Sequence, residues 1–484
     1  MWYNKFMEIS RHIPLGWKNR SAPWLKETGR AISQALVAPV DVSALATFRV
    51  FLGMIMVWEV YRYHYYSRIA RYYIDPHFFF PYELFPFLQP LPGPWMYLVF
   101  FAMGLAALGV ALGFLYRASA ILFFLTYTYV FLLDKTQYNN HYYFISLLGF
   151  LLIFVDAHRW TSVDQKLRPD LQGEQVPYWQ FFIFKAQVFI VYFYAAVAKM
   201  NPDWLVGEPM RAWLLNRAGY PVIGPFLATE AGVYFFSYGG LLFDLSVGFL
   251  LLWRPTRLLA FLGLLVFHLL NSWLFSIGIF PFLMIAATIL FVEPDWPRRI
   301  LRGAPQPVAA PPIYSNLYRK VIVGFVGLYL ALQILIPLRH WLYPGEVSWT
   351  EEGHRFSWHM KLRDKAGQIA FTITDPQTQQ TWPVDMYQDL DPRQIDKMAS
   401  RPDMILQYAH YLKQKAEAAG IQKPIVRVEA WAALNGRPYQ LLVDPEANLA
   451  EMPYTIFARA PWIMPLEVEI PSTPEDREAI FEED

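Results

Sequence analysis

Nine apolar stretches fill most of the first 340 residues and limit the folds open to this chain. A helix rises 1.5 Å per residue, so about 20 apolar residues are needed to cross the hydrocarbon core of a membrane. We place the spans at residues 43–65, 94–116, 118–134, 141–156, 178–200, 231–253, 258–275, 277–293 and 320–338. The sequence therefore predicts a polytopic α-helical membrane protein with about nine spans.

Charge is distributed unevenly along the chain. Residues 341–484 contain 23 acidic and 14 basic side chains, whereas the preceding part contains 17 acidic and 27 basic ones. An acidic, charge-rich segment after an apolar one indicates a soluble domain that follows a membrane domain. We predict four parts: an amphipathic interfacial segment (1–42), a transmembrane domain (43–340), an extracytoplasmic α+β domain (341–470) and an acidic disordered tail (471–484).

The α+β assignment of the C-terminal domain depends on local patterns. HRFSWHMKL, GQIAFTIT and TWPVDMY have strand composition, and residues 402–419 alternate like a helix. IVRVEAWAAL and RPYQLLV, separated by Asn-Gly, predict a hairpin. Residues 78–94 contain five prolines, so they should form a re-entrant or interfacial loop on the outer face.

Orientation follows from the basic residues of the connections. Lys and Arg are retained on the cytoplasmic side of short loops. With the N-terminus inside, seventeen of them lie on the cytoplasmic side and five on the other. Nine spans then place the C-terminal domain outside the cytoplasm.

Several classes of chemistry are excluded or disfavoured. The chain has no cysteine, which excludes disulfides, thiolate metal sites and iron–sulfur clusters. The ten histidines are scattered, so we expect no metal site. A membrane chain with an acidic outer domain gives no support to nucleic-acid binding.

Ionisable residues inside spans are expensive and therefore mark candidate sites. Lys199 ends the fifth span, where a desolvated amine can act as a base, although a lysine that snorkels to the interface fits its position as well. His268 and Asn271 share one face of the seventh span and indicate either a structural hydrogen bond between helices or a site. Asp244 needs a buried donor, and Arg49 is the candidate partner for a structural pair.

The start of the fourth span is a further candidate site. His141 follows Asn139 and Asn140 in QYNNHYYF. An imidazole with neighbouring amides at a helix N-terminus can hold a hydroxyl or a developing anion. A simple capping role is an equally good interpretation of the spacing.

Four segments of the chain resemble the vitamin K-dependent gamma-glutamyl carboxylases. They are NNHYYF, QVFIVYFYAAVAKMNPDWLVGEPM, FHLLNSWLFSIGIFPFLMIAATILFVEPDWPR and RHWLYPGEVSWTEEGHRFSWHMKLRDK. The first span resembles the start of the broader HTTM domain, and the likeness extends over residues 43–450. The run FHxxNSxLFSIGxF is its most specific part.

The resemblance implies a lyase that carboxylates glutamate with the help of a quinol. Lys199 occupies the position of the family's base, which deprotonates reduced vitamin K or menaquinol in a water-free pocket whose apolar walls keep the amine neutral. The quinol then reacts with O2, becomes the epoxide and supplies the strong base for addition of CO2 to a glutamate peptide. His141 is assigned to catalysis with Lys199. The residues assigned to the quinol are Asn139, Asn140, His268 and Asn271, and those assigned to the glutamate are Ser357, Trp358 and Arg363, with Arg355 as an alternative cation.

The chain also departs from the family. It is shorter than the animal carboxylases, lacks their cysteines and has Arg363 where they have a histidine after the Ser-Trp pair. These features predict a short, bacterial-type member in contact with lipid in an inner membrane, with a periplasmic C-terminal domain. The alternatives are a quinol epoxidase without carboxylation and a non-enzymatic HTTM protein that binds lipid or a partner. A transporter would show inverted repeats, which we do not find.

Overall fold

A computed structural model of the protein describes residues 17–168, 174–302, 314–455 and 458–471. The first part of the predicted interfacial segment (1–16) and almost all of the predicted acidic tail (471–484) lie outside the described residues. Within the described residues, helix α1 (Trp17–Leu36) begins the structure where the amphipathic segment was expected.

The transmembrane domain is built from apolar helices. In the described part of the chain a helix is present at each of the nine predicted span positions: α2 (Ser43–Tyr65), α3 (Pro94–Leu112), α4 (Tyr116–Leu132), α5 (Asn140–Leu152), α6 (Trp179–Lys199), α7 (Glu230–Leu252), α8 (Arg257–Phe275), α9 (Phe280–Thr288) and α10 (Asn316–Leu338). Six of them, α2, α3, α6, α7, α8 and α10, are long and apolar enough to cross a membrane. The helical membrane architecture is confirmed, and the count of nine spans stays a prediction.

Small residues permit close packing of these helices. A Cβ atom at Gly53 of α2 would lie 2.6 Å from the backbone nitrogen of Ala111 and 2.7 Å from the carbonyl oxygen of Ala107, both on α3. Only glycine fits such a contact. Membrane helices commonly associate through small residues in this way, because lipid provides no hydrophobic driving force between them.

Short elements connect the long helices. Among the described residues, the short α-helices are Arg68–Tyr73, Val163–Leu167, Pro202–Leu205, Met210–Leu215, Gly224–Leu227, Trp296–Arg302 and Val347–Thr350. The 3₁₀ helices are Lys135–Gln137, Ala157–Arg159, Ile289–Phe291, Arg339–Leu342 and Met386–Gln388. Strands β1 (Pro39–Asp41) and β2 (Gln175–Pro177) pair antiparallel at the end of the domain where α2 begins.

The proline-rich loop, residues 75–93, belongs to the transmembrane part of the chain and packs against the C-terminal domain. Residues 75–93 contain no helix or strand, which agrees with the loop predicted for residues 78–94 except that Pro94 begins α3. Phe80 is fully buried, and its neighbour Phe78 packs against the same hydrophobic cluster, which consists mainly of residues from the C-terminal domain. The loop therefore supplies part of the core of the C-terminal domain.

The C-terminal domain is α+β, as predicted. Its antiparallel sheet has the order β4-β3-β5-β6, with strands β3 (Lys365–Thr374), β4 (Thr381–Pro383), β5 (Ile425–Leu434) and β6 (Gln440–Leu441). Strands β3 and β5 pair along their whole length, from Lys365 opposite Leu434 to Thr374 opposite Ile425. Helices α11 (Pro392–Ala399) and α12 (Pro402–Ala418) pack against the sheet.

The predictions for the local structure of this domain have different outcomes. The hairpin of β5 and β6 and the helix after residue 402 are confirmed. The strand predicted for HRFSWHMKL is wrong, because residues 354–361 form turns and irregular backbone. Phe356, Trp358 and Lys361 have positive φ angles of 65°, 60° and 51°, which interrupt an extended chain.

Buried ion pairs dock the C-terminal domain onto one end of the helix bundle. Asp403 accepts from Lys135 Nζ at 2.7 Å and from Arg355 Nη1 at 2.7 Å. Burial raises the pKa of Asp403, but the charges of Arg355 and Lys135 outweigh it and hold that pKa well below its usual range. Near the end of α6, Asp203 accepts from Asn435 Nδ2 at 2.8 Å and from Arg437 Nη1 at 2.7 Å. The C-terminal domain therefore lies at the end of the bundle where α5 begins and α6 ends.

Candidate active site

A cavity of about 960 Å³ lies between the helix bundle and the C-terminal domain. Its walls come from the start of α5, the end of α6, the facing surfaces of α7 and α8, and residues 354–363 and 393–401 of the C-terminal domain. Seven of the nine predicted site residues line it: Asn139, Asn140, His141, Lys199, His268, Asn271 and Arg363. Side chains from distant parts of the sequence therefore meet in one space.

Lys199 forms a buried ion pair with Asp244. The Nζ atom of Lys199 lies 2.6 Å from Oδ2 of Asp244 and donates to the carbonyl oxygen of Ala195 at 3.3 Å. The two residues are 7% and 5% exposed. Two charges in a membrane interior are expected to pair, because each alone carries a large desolvation cost.

This pair changes two expectations from the sequence. Arg49 is not the partner of Asp244, because Asp244 pairs with Lys199 and Arg49 donates to the carbonyl oxygen of Thr161 at 2.8 Å. The amine of Lys199 is also not surrounded by apolar walls alone, since a carboxylate contacts it directly. If Lys199 acts as a base, the position of the proton between its amine and the Asp244 carboxylate therefore determines whether the amine can accept another proton.

His268 makes the hydrogen bond between helices that its position permits. Its Nε2 atom lies 2.7 Å from the hydroxyl of Tyr192 on α6. His268 is 3% exposed and also lines the cavity, as does Asn271 one turn later. The hydrogen bond between helices is confirmed for His268, and its role as a site residue stays a prediction.

The start of α5 contributes two different kinds of residue. His141 lines the cavity, with its ring 5.9 Å from that of Phe280. Asn140 donates through Nδ2 to the carbonyl oxygen of His359 at 2.8 Å and accepts from the Tyr138 hydroxyl at 2.9 Å. Asn140 therefore joins the bundle to the C-terminal domain, whereas Asn139 and His141 line the cavity and, among the described residues, have no side-chain hydrogen bond to that domain.

Stacked rings supply an apolar part of the wall. The rings of Phe243 on α7 and Phe267 on α8 lie 4.2 Å apart with 18° between their planes, and both residues line the cavity. A flat aromatic molecule could pack against such a surface, while the lysine, histidines and amides contact its polar ends.

Ser357 and Trp358 do not line the cavity. Ser357 is 1% exposed, and its hydroxyl donates to the carbonyl oxygen of Gly353. Trp358 is fully buried with its ring 5.0 Å from that of Tyr143 on α5. The indole supports the bundle side of the domain interface, which is a packing role.

Arg363 is the cation that the C-terminal domain brings to the cavity. It pairs with the buried carboxylate of Glu351, from which Lys365 Nζ is 3.9 Å distant. Burial, followed by the charge of Arg401, lowers the pKa of Arg363 to about 9, so the guanidinium keeps its proton near neutral pH. Arg355, the alternative cation, is bound to Asp403 and is not part of the cavity wall.

The sequence did not single out several residues of the wall. Glu59 of α2 is 5% exposed, lines the cavity and pairs with Arg62 at 2.8 Å. An acidic side chain inside a span was the available signal for it. His359 and Arg401 gave no comparable signal, because their place on the wall depends on the docking of the two domains. Tyr192 gave none either, because its contact with His268 depends on how α6 packs against α8.

Metal chemistry gains no support from the described residues. They contain no group of three or more histidine, aspartate or glutamate side chains arranged to hold an ion. The expectation of a metal-free site stays a prediction.

Comparison with known protein families covers almost all of the described chain. Residues 37–296 match the HTTM domain model, and residues 318–469 match the model described as vitamin K-dependent gamma-carboxylase, lumenal domain. The chain belongs to the vitamin K-dependent gamma-carboxylase family. No solved structure matches it. The family assignment expected from the four sequence segments is thus confirmed, and it makes a carboxylase function for this family member the starting point for interpreting the cavity.

Proposed function

We propose that the protein couples conversion of a reduced naphthoquinone, either reduced vitamin K or menaquinol, to its epoxide with the carboxylation of glutamate. The observation that carries this proposal is the Lys199–Asp244 pair on the wall of a cavity that both family domains line. Ligand cavities of small molecules commonly enclose 300–1,000 Å³. The size of this cavity and the stacked Phe243 and Phe267 rings fit a fused aromatic quinol.

Lys199 and Asp244 act together as the proton acceptor. When the proton that the pair shares lies on Asp244, the amine of Lys199 is neutral and takes a proton from a quinol hydroxyl, which leaves an ammonium hydrogen-bonded to the neutral carboxyl group. The bound quinol, with O2, supplies the strong base that removes a γ proton from glutamate. His141 and Asn139 at the start of α5 line the same cavity and orient the other polar end of the quinol.

Arg363 binds the side-chain carboxylate of the glutamate. A guanidinium can form two parallel hydrogen bonds with a carboxylate, which fixes its direction as well as its position. The Cγ–H bond breaks, the resulting carbanion forms a carbon–carbon bond with CO2, and the product has two carboxylates on one carbon. The apolar walls exclude the water that would protonate the carbanion first.

The experiment follows both products with the same sample. Purified protein is given reduced vitamin K, O2, radiolabelled bicarbonate and a glutamate peptide, and epoxide is measured by chromatography and fixed label by scintillation. We expect both products, and loss of both in Lys199→Gln. Epoxide without fixed label would leave only the epoxidase, and neither product from folded protein would contradict the proposal.

We also propose that the C-terminal domain lies outside the cytoplasm, in a bacterial inner membrane with the N-terminus inside. The basic residues of the connections support this orientation, and so does the position of the domain at the end of the bundle opposite Arg254, Arg257 and Arg298. A reporter that is active only in the cytoplasm is fused after Asp484. We expect it to be inactive, and strong activity would reverse the topology.

A further inference from the structure

Three basic residues recur at every fourth position on the C-terminal wall of the cavity. Arg393 and Lys397 belong to α11, and Arg401 follows just after the helix ends. Residues four apart on a helix share a face. All three line the cavity, so this basic stripe, defined as Arg393, Lys397 and Arg401, faces the same space as Lys199.

The three residues differ in their present partners. Arg393 donates to the Thr136 hydroxyl at 2.9 Å and lies over the ring of Tyr72, so it also holds the two domains together, and Asp391 lies 3.5 Å from its guanidinium. Lys397 is half-exposed, with Asp396 at 3.4 Å. Arg401 has no ion pair within the described residues, and its Nη1 atom there has no hydrogen-bond partner. Arg401 is therefore the cation of the stripe that lacks an acceptor.

Positive charge on this wall is only partly compensated: Arg363 pairs with Glu351, whereas Arg401 has no ion pair within the described residues. Lys361 and Arg363 line the cavity beside the stripe, and burial together with the charge of Arg355 lowers the pKa of Arg401 to about 10. The two acidic residues that line the cavity, Glu59 and Asp244, are already paired with Arg62 and Lys199 of the bundle. A bound anion would relieve the mutual repulsion of the cations on the C-terminal wall.

His359 provides an independent observation at the same wall. It is 7% exposed and lines the cavity, and neither of its ring nitrogens has a hydrogen-bond partner in the part of the chain that the structure describes. Burial, and then the neighbouring His340, lowers the pKa of His359 to about 3, so the ring is neutral and carries one N–H donor. An unpaired buried donor costs free energy, which a ligand acceptor would recover.

We propose that this wall binds a second carboxylate of the substrate, so that the protein prefers an acidic peptide segment to an isolated glutamate. The inference depends on the proposed function, in which Arg363 holds the glutamate that reacts. Arg401 and His359 then bind an acidic side chain near that glutamate, and Lys397 attracts the segment from the open side. An anionic lipid headgroup is the other source of such an anion. The position of the stripe on the C-terminal domain, in the same space as Lys199, favours the peptide.

The test measures binding and needs no turnover. Full-length protein in nanodiscs of neutral lipid is titrated with two fluorescent nine-residue alanine peptides, one with a single central glutamate and one with three glutamates. We expect the second to bind about tenfold more tightly, which corresponds to about 1.4 kcal/mol for one charge-assisted interaction. The preference should decrease as salt screens the charges.

Variants assign the preference to the stripe. Arg401→Gln and Lys397→Gln should each bring the ratio of the two dissociation constants close to one. Lys413→Gln on α12 removes the same charge from the same domain away from the cavity and should keep the ratio of the wild type. Equal affinities in the wild type, or an unchanged ratio in Arg401→Gln protein that folds normally, would overturn the inference.

The lipid source and the proposed function are tested separately. In nanodiscs with anionic phosphatidylglycerol, the preference for the acidic peptide should persist. If Arg401→Gln changes only the retention of phosphatidylglycerol and not the peptide ratio, the wall binds lipid and the inference is wrong. A binding preference without epoxide or fixed CO2 would instead count against the proposed function alone.

Discussion

The two walls of the cavity differ in how far the sequence alone predicts which residues line them. On the bundle side, every side chain predicted for the site, namely Lys199, His141, His268, Asn271 and the amides of Asn139 and Asn140, lines the cavity. On the C-terminal side Arg363 lines it, but Ser357 and Trp358 do not. A polar group in a span has few places that avoid hydrocarbon, so its position follows from its identity. A polar group in a water-soluble domain can lie at many positions, because water solvates most of its surface.

The largest effect should come from the ion pair on the bundle wall. In Lys199→Gln the amide can still donate to Asp244 but cannot accept a proton, so epoxide formation should fall about 100- to 10,000-fold. Chromatography of the epoxide measures the rate. The amide is preferred to alanine here, because truncation would leave Asp244 buried without a partner and could unfold the protein.

Controls separate proton transfer from packing. Lys185→Gln alters a lysine near the other end of the same helix, where it lies over the rings of Tyr178 and Phe181, and should retain epoxide formation. Adding Asp244→Asn to Lys199→Gln should cost little more, since the two side chains act as one unit. A Lys199→Gln protein that forms epoxide at the rate of the wild type would contradict this prediction. Lining the bundle wall of the cavity would then not indicate a role in the reaction.

The bundle wall shows what sequence reasoning can reach. Span positions and the inward direction of Lys199 and His268 follow from the cost of polar groups in lipid. Their partners do not follow, because many residues on different helices have the right chemistry. Asp244 was assigned to Arg49 and pairs with Lys199 instead, a choice decided by how α6 and α7 pack side by side. Periodicity within one helix does not contain that information.

The next effect tests whether Trp358 supports the interface or contacts the substrate. Trp358 is fully buried and packs against Tyr143 and Phe144 of α5. Trp358→Ala should therefore destabilise the protein by about 3–5 kcal/mol, the usual cost of truncating a large buried aromatic residue. Denaturant unfolding of the purified protein followed by fluorescence measures it. Trp382→Ala, an exposed tryptophan on β4, should cost far less.

An opposite result would restore the interpretation made from sequence. If Trp358→Ala protein has wild-type stability but forms epoxide without fixing CO2, the indole contacts the glutamate after all. The two walls would then be equally predictable from the family's Ser-Trp motif, and the buried position of Trp358 would describe a state without substrate.

The C-terminal wall shows where sequence reasoning stops. HRFSWHMKL alternates apolar and polar residues and therefore has the pattern of a strand. In the structure, Trp358 and Asn140 decide the conformation: the indole packs on α5, and Asn140 holds the carbonyl oxygen of His359. These are contacts with another domain, so no local pattern predicts the positive φ angles that they impose. For the same reason Arg401 and His359 reach the cavity without any signal in the sequence.

The smallest effect concerns the pH dependence of that docked segment. His359 is buried beside His340 and His354, with ring centroids at 4.8 and 5.4 Å. Burial, and then His340, lowers its pKa from 6.5 to about 3, so below pH 6.5 the unfolded chain binds a proton that the folded protein excludes. The stability contributed by this group is complete above pH 6.5 and is lost as the pH falls from 6.5 toward 3. At pH 5.5 the loss should be about 1.4 kcal/mol, one pKa unit.

The measurement compares the free energy of unfolding at pH 7.5 and 5.5 in wild type and His359→Asn, whose amide does not titrate. The variant should lose stability with acidification by about that much less, whereas His77→Asn, an exposed residue of the proline-rich loop, should behave as the wild type. Equal acid sensitivity of His359→Asn and wild type would mean that the ring is not buried at the domain interface. The position of His359 would then not depend on docking against the bundle, and the contrast drawn between the two walls would fail for this residue.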